Sequence, residues 1–176
     1  MVFKSYVQQR NDLPIFFGAM NTPAEPSQPP SGVRSKILPG PPFLRHYVDY
    51  RLIAWRPEGV LDDGMLDQIA EWLVEIELES PHFKRFVDFS RLTEIAVRTN
   101  HLFEFARKRA EDFRGNEPVR ASLFCDEWIG FGIARFYETL MEDTLIRARA
   151  FRDRAKAAEW LEVPATVLTL EDEPEP

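Results

Sequence analysis

The chain has 176 residues, 44% of them hydrophobic, which is enough for one packed domain with tails and rules out a fully disordered protein. Its net charge of −7 argues against a general nucleic-acid binder, because neutralising phosphates needs a basic excess. A single cysteine, Cys125, excludes an intrachain disulfide and a cysteine-rich zinc site.

Residues 1–44 read as a leader. Pro23, Pro26, Pro29, Pro30, Pro39, Pro41 and Pro42 fall among Ser, Gly and Thr, and proline removes amide donors and fixes φ, so the stretch is expected to be disordered and outside any sheet. Met20 opens a more ordinary start, so residues 1–19 are a candidate artefact of start-codon choice. No apolar run approaches the ~20 residues of a membrane span, and Leu13–Met20 lacks the flanks of a signal peptide. A cytoplasmic address is expected.

From Tyr47 the pattern changes. Tyr47–Trp55 reads as one strand and Pro57–Leu61 as a turn with a short extended piece. Asp62 or Asp63 can cap a helix whose buried face is Leu66, Ile69, Ala70, Leu73 and Ile76 and which ends near Ser80-Pro81. Lys84–Phe89 is the next strand, Val97–Phe113 a helix stopped by Gly115, and Val119–Cys125 a strand. A helix over Glu127–Met141, a strand over Leu145–Phe151 and a helix over Arg154–Leu161 complete the series. Strands alternating with helices predict an α/β domain over 45–163: a mixed, mainly parallel sheet of about four to five strands with helices packed on it and an antiparallel edge. Residues 164–176 read as an acidic tail, in which Thr166–Leu170 could add an edge strand.

Ligands of open α/β sheets bind beyond the carboxyl ends of parallel strands. Those ends present a polar cluster of Asp88, Ser90, Asp126 and Asp153, which could hold magnesium or take up a phosphoryl group; local capping of turns and helices is the plainer role. No glycine-rich loop follows a strand, so a nucleotide-phosphate cradle is missing. His46, His82 and His101 are isolated, so no metal site is expected, and no cofactor is implied. Cys125 ends a predicted central strand and reads as a buried structural thiol. No Gly-x-Ser-x-Gly elbow is present. The expectation is a protein that is not an enzyme. The arginines at 147, 149, 152 and 154 read as a solvated surface.

The helix over 127–141 stands out. At ~100° per residue, Trp128, Ile129, Ile133, Phe136, Tyr137, Leu140 and Met141 sweep roughly 220°, about twice what one sheet-facing stripe needs. A helix buried on two sides is implied, either by its own domain or by a second chain, and Gly130 and Gly132 would let another backbone approach. These residues are therefore candidates for an interface with a second copy or a protein partner.

Three segments carry a family resemblance: Arg85-Phe86-Val87-Asp88-Phe89-Ser90-Arg91-Leu92-Thr93, Phe131-Gly132-Ile133-Ala134-Arg135-Phe136-Tyr137-Glu138 and Phe151-Arg152-Asp153-Arg154-Ala155-Lys156-Ala157-Ala158-Glu159-Trp160-Leu161. With the strand-helix order over 47–161 they resemble the STAS, or SpoIIAA-like, group. The resemblance implies a mixed sheet with helices on it and a non-catalytic regulatory or interaction role, best known in anti-sigma-factor antagonists. Those are switched by phosphorylation of a serine in an Asp-Ser pair at a helix start. Here the corresponding stretch is Thr93–Asn100 and the pair is absent, leaving Thr93 and Thr99 as stand-ins. The second reading of function is a small-molecule or lipid binder with an apolar pocket between the sheet and the helices at 97–113 and 127–141. A pocket of a few hundred Å³ would be expected for it.

Overall fold

The computed structural model describes residues 35–37 and 44–170, apart from the side chains of 35–37 and of Ile129. Elements follow in the order β1 (Ser35–Ile37), β2 (Arg45–Tyr47), β3 (Leu52–Trp55), β4 (Gly59–Leu61), α1 (Asp63–Glu79), β5 (Lys84–Asp88), β6 (Leu92–Ile95), α2 (Thr99–Asp112), β7 (Val119–Phe124), α3 (Trp128–Leu140), β8 (Ile146–Phe151) and α4 (Arg154–Leu161). One sheet has the order β1-β2-β3-β5-β7-β8, antiparallel across its first three strands and parallel across the rest. The fold is the mixed, mainly parallel α/β arrangement expected above, with six strands rather than four or five. A separate parallel ribbon pairs β4 with β6.

Side-chain alternation builds two core layers from each central strand. Ile53 and Trp55, Val87, and Val119, Ala121 and Leu123 face a large core closed by α1, α2 and α3. Leu52 and Ala54, Phe86 and Phe124 face a smaller core closed by α4 and the segment after it. Both faces of the inner strands are thus mainly apolar, as covered parallel strands require, with Arg85, Asp88 and Ser122 as buried polar exceptions. At the head of α1, Asp62 caps the helix by accepting from the Met65 amide at 2.8 Å.

Four expectations are corrected. Tyr47–Trp55 is not one strand. A 3₁₀ turn at Val48–Tyr50 and Arg51, at φ 48°, fold it into the β2–β3 hairpin. The leader reaches the sheet, since Ser35-Lys36-Ile37 pairs with Arg45–Tyr47; these residues are proline-free and sit at the sheet edge, where proline neighbours are tolerated. The remaining leader residues (1–34 and 38–43), together with 171–176, lie outside the described residues. Residues 165–168 form a 3₁₀ turn instead of an edge strand. Val167, Leu168 and Leu170 are buried under α4, so the domain runs to Leu170 and not to 163. Arg56 fastens that end by donating to the Leu170 carbonyl at 2.7 Å. Finally, Leu92–Ile95 is a strand, which places Thr93 within a ribbon and not at a helix start.

Candidate functional site

The carboxylates of Asp88 and Asp153 are engaged in separate contacts, and at Asp126 the backbone carbonyl is the bonded group. Asp88 is fully buried; its Oδ2 receives Arg154 Nη1 at 2.8 Å and its Oδ1 receives the Ser90 amide at 3.0 Å. Arg154 also donates to the Leu168 carbonyl and lies 4.2 Å from the Phe124 ring centroid, so this pair ties β5 to α4 and the segment after it. Asp153 caps α4 through the amides of Ala155 and Lys156 at 2.8 and 3.4 Å. Asp126 is exposed, and its carbonyl receives Arg152 Nη2 at 2.7 Å. Asp88 and Ser90 share one bond, while Asp126 and Asp153 are engaged apart from them. Among the described residues no group of three His, Cys, Asp or Glu side chains converges as metal ligands would.

Cys125 is enclosed at the end of β7, and its thiol donates to the Glu127 carbonyl at 3.3 Å. Burial pushes the thiol up from its ordinary range; the Glu127 contact works against this, and the carboxylates of Asp126, Glu127 and Asp88 add to it. Since the thiolate is the nucleophile, alkylation at neutral pH should be slower than that of free cysteine by about tenfold or more, rising when denaturant opens the core. Timed iodoacetamide labelling followed by mass spectrometry checks this, and labelling at the free-cysteine rate would mark a reactive thiolate.

Thr99 is exposed at the first turn of α2, where the neighbouring cation is already taken. Asp63 on α1 receives the Arg98 amide at 2.9 Å and the Arg98 guanidinium, and Asp67 lies 3.0 Å from His101 Nε2. The Arg98 amide foremost, then its guanidinium, holds the Asp63 carboxyl below the usual carboxylate range. Thr93 is exposed on β6.

On α3 the exposed side is Trp128, Gly132, Arg135 and Thr139, a stripe at helical spacing. Trp128 is 71% exposed, with the Arg152 guanidinium 3.8 Å from its ring centroid. Ile133, Phe136, Tyr137 and Leu140 are partly buried against the large core. Met141 is fully enclosed and is corrected out of the interface set, and Ile129 lies outside the described side chains. Much of the wide apolar arc is covered within the chain. Phe103 of α2 meets Phe136 edge-to-face at 5.3 Å, Phe105 meets Tyr137 at 5.8 Å, and β8 receives Glu138, whose Oε2 accepts from the Ala150 amide at 2.8 Å. Gly130 is needed for packing: an added Cβ would collide with Cys125 Sγ, whereas one on Gly132 would meet nothing. Phe103, 47% exposed, is a surface aromatic that the sequence reading missed.

Sequence reasoning also missed a buried ionic group. Glu77 Oε1 of α1 accepts from Nη2 of both Arg85 on β5 and Arg109 on α2. Relative exposures are 9%, 2% and 1%. Glu77 follows Ile76 on the inward face of α1, and Arg85 alternates in phase with inward Val87, so periodicity alone could have placed both inside. The Arg85 guanidinium lies 4.6 Å from the Phe113 ring centroid. Arg85 Nε and Nη1 and Arg109 Nη1 have no hydrogen-bond partner among the described residues. Beside them is a cavity of about 70 Å³, walled mainly by apolar side chains such as Leu73, Val87, Leu102, Phe105 and Ile133. Burial pushes the adjoining Tyr137 phenol up, against the pull of Arg109 and Arg85. The cavity is well below the few hundred Å³ expected of a lipid or drug-sized ligand site.

No family model and no curated protein matches the chain. A solved structure of an uncharacterised DUF3478-family protein with a SpoIIAA-like fold, from Shewanella loihica PV-4, is similar over 62% of this chain and 83% of its own, at 16% identity and a TM-score of 0.43. No helix among the described residues is long and apolar enough to cross a membrane.

Proposed function

We propose that this domain is a non-catalytic interaction module that self-associates through the ridge formed by α2 and α3. One observation carries the reading: a fold that encloses Trp55, Trp72, Phe86 and Phe113 leaves Trp128 of α3 71% and Phe103 of α2 47% exposed. Large aromatics left in water are the usual core of a protein contact. Phe136, edge-to-face with Phe103, extends the apolar surface, and the Arg152 guanidinium covers one face of the Trp128 ring. The carboxylates of Asp88 and Asp153 and the thiol are each already held by a bond within the chain, which favours a non-catalytic reading.

Multi-angle light scattering on a size-exclusion column tests the reading. Wild type is expected to dimerise as concentration rises toward the millimolar range, and Trp128→Ser with Phe103→Ser to remain monomeric with an unchanged far-ultraviolet circular dichroism spectrum. A wild-type protein that stays monomeric throughout would overturn self-association.

A further inference from the structure

Two guanidinium groups share one carboxylate at the edge of the cavity, and all three side chains are at least nine-tenths buried. The set therefore holds an excess positive charge away from water, a costly arrangement unless another anion joins it. Three of its nitrogens, Arg85 Nε, Arg85 Nη1 and Arg109 Nη1, are unpartnered among the described residues, and both arginines line the cavity. Water can accept from the nitrogens but carries no charge to offset the guanidinium excess and gains nothing from the apolar walls. A carboxylate offsets the excess charge and can accept single charge-assisted bonds from these donors. The volume, about 70 Å³, exceeds the ~10–15 Å³ that one water needs and leaves room for a few heavy atoms only.

We propose that this cavity binds a small carboxylate with a short apolar tail, its oxygens on the free donors of Arg85 and Arg109 and its tail against Leu73, Val87, Leu102 and Ile133. The cavity lies on the inner side of α2 and α3 and is not lined by Trp128, Phe103 or Phe136, so loss of self-association by the ridge variants and loss of ligand binding are distinguishable. The occupant is set by size and charge together: a neutral molecule of the same length forfeits the charge-assisted bonds, and an inorganic anion forfeits the apolar walls.

The test uses the full chain and three probes at equal ionic strength: sodium butyrate, sodium chloride and, in chloride, 1-butanol. Butyrate is expected to raise the melting temperature saturably and to bind about tenfold or more tightly than 1-butanol, shifting the methyl resonances of Val87 and Ile133. Arg109→Gln should weaken butyrate by about tenfold. Ala121→Leu fills the cavity from the central strand without touching a charge and should abolish binding, so the proposal stays testable if the Arg109 variant does not fold. Stabilisation by butyrate no greater than by chloride, equal binding of 1-butanol, or undiminished binding by Ala121→Leu would each overturn it.

Discussion

Glu77→Gln is expected to lower the unfolding free energy by about 3–5 kcal/mol, a fall in melting temperature of roughly 6–20 °C for a domain this size. The glutamine keeps the shape of the side chain and can still accept one hydrogen bond, so the loss reports charge. Arginine cannot shed its proton in a protein, and without the carboxylate two guanidinium groups remain in the interior, where Arg85 and Arg109 are 2% and 1% exposed. Replacing the whole set by apolar side chains of similar volume, Glu77→Leu with Arg85→Met and Arg109→Met, should behave differently. Such replacements are often neutral or stabilising by about 1–4 kcal/mol, because the desolvation cost of every ion disappears together. Urea unfolding checks both, read as a change of midpoint at constant slope. A Glu77→Gln protein within about 1 kcal/mol of wild type would mean that the two arginines are hydrated in solution.

The second large effect is at α3, where two glycines two residues apart should respond with opposite sign. Gly130→Ala is expected to destabilise by about 1–3 kcal/mol. Its new methyl would meet Cys125 Sγ, which is enclosed at the end of β7 and bonded to the Glu127 carbonyl, so neither backbone nor sulfur can withdraw freely. That penalty overrides the ~1 kcal/mol that alanine ordinarily gains over glycine in a helix. At Gly132, exposed and with nothing near an added Cβ, the same substitution should show that gain undiminished. In the Gly130→Ala background, Cys125→Ala should recover stability, and a double-mutant cycle should give a coupling of about 0.5–3 kcal/mol. Thermal and urea denaturation of the four proteins decide it; additive effects would separate the glycine from the sulfur.

These two sites divide what was legible in the sequence from what was not. The wide apolar arc of α3 correctly implies cover on two sides, because the angular spread of side chains about a helix is a local property. Which elements provide the cover is not local: Phe103 and Phe105 arrive from α2 and the Ala150 amide from β8. Likewise a helix cap at Asp62 or Asp63 was readable from its place ahead of an amphipathic run, and the strand end at Phe151 was readable from alternation, whereas the strand read to Phe89 stops at Asp88. The β2–β3 reversal was hidden because Val48-Asp49-Tyr50-Arg51 contains neither glycine nor proline, and Arg51 enters the left-handed region without a sequence signal. The β4–β6 ribbon was hidden for another reason: each strand is only three or four residues long, and its partner lies across a whole helix and strand.

By itself, the sequence determined the alternation of strands and helices, the helix termini, and the absence of the metal and nucleotide motifs, since all of these depend on neighbours a few residues apart. Only the tertiary structure decided that Glu77 meets Arg85 eight positions on and Arg109 thirty-two positions on, that Asp88 is sealed by Arg154, and that Trp128 stays in water while Met141 does not. The physical reason is one of range. Backbone preference and side-chain periodicity act within a turn or a strand, whereas burial and ion pairing are set by which surfaces the chain brings face to face.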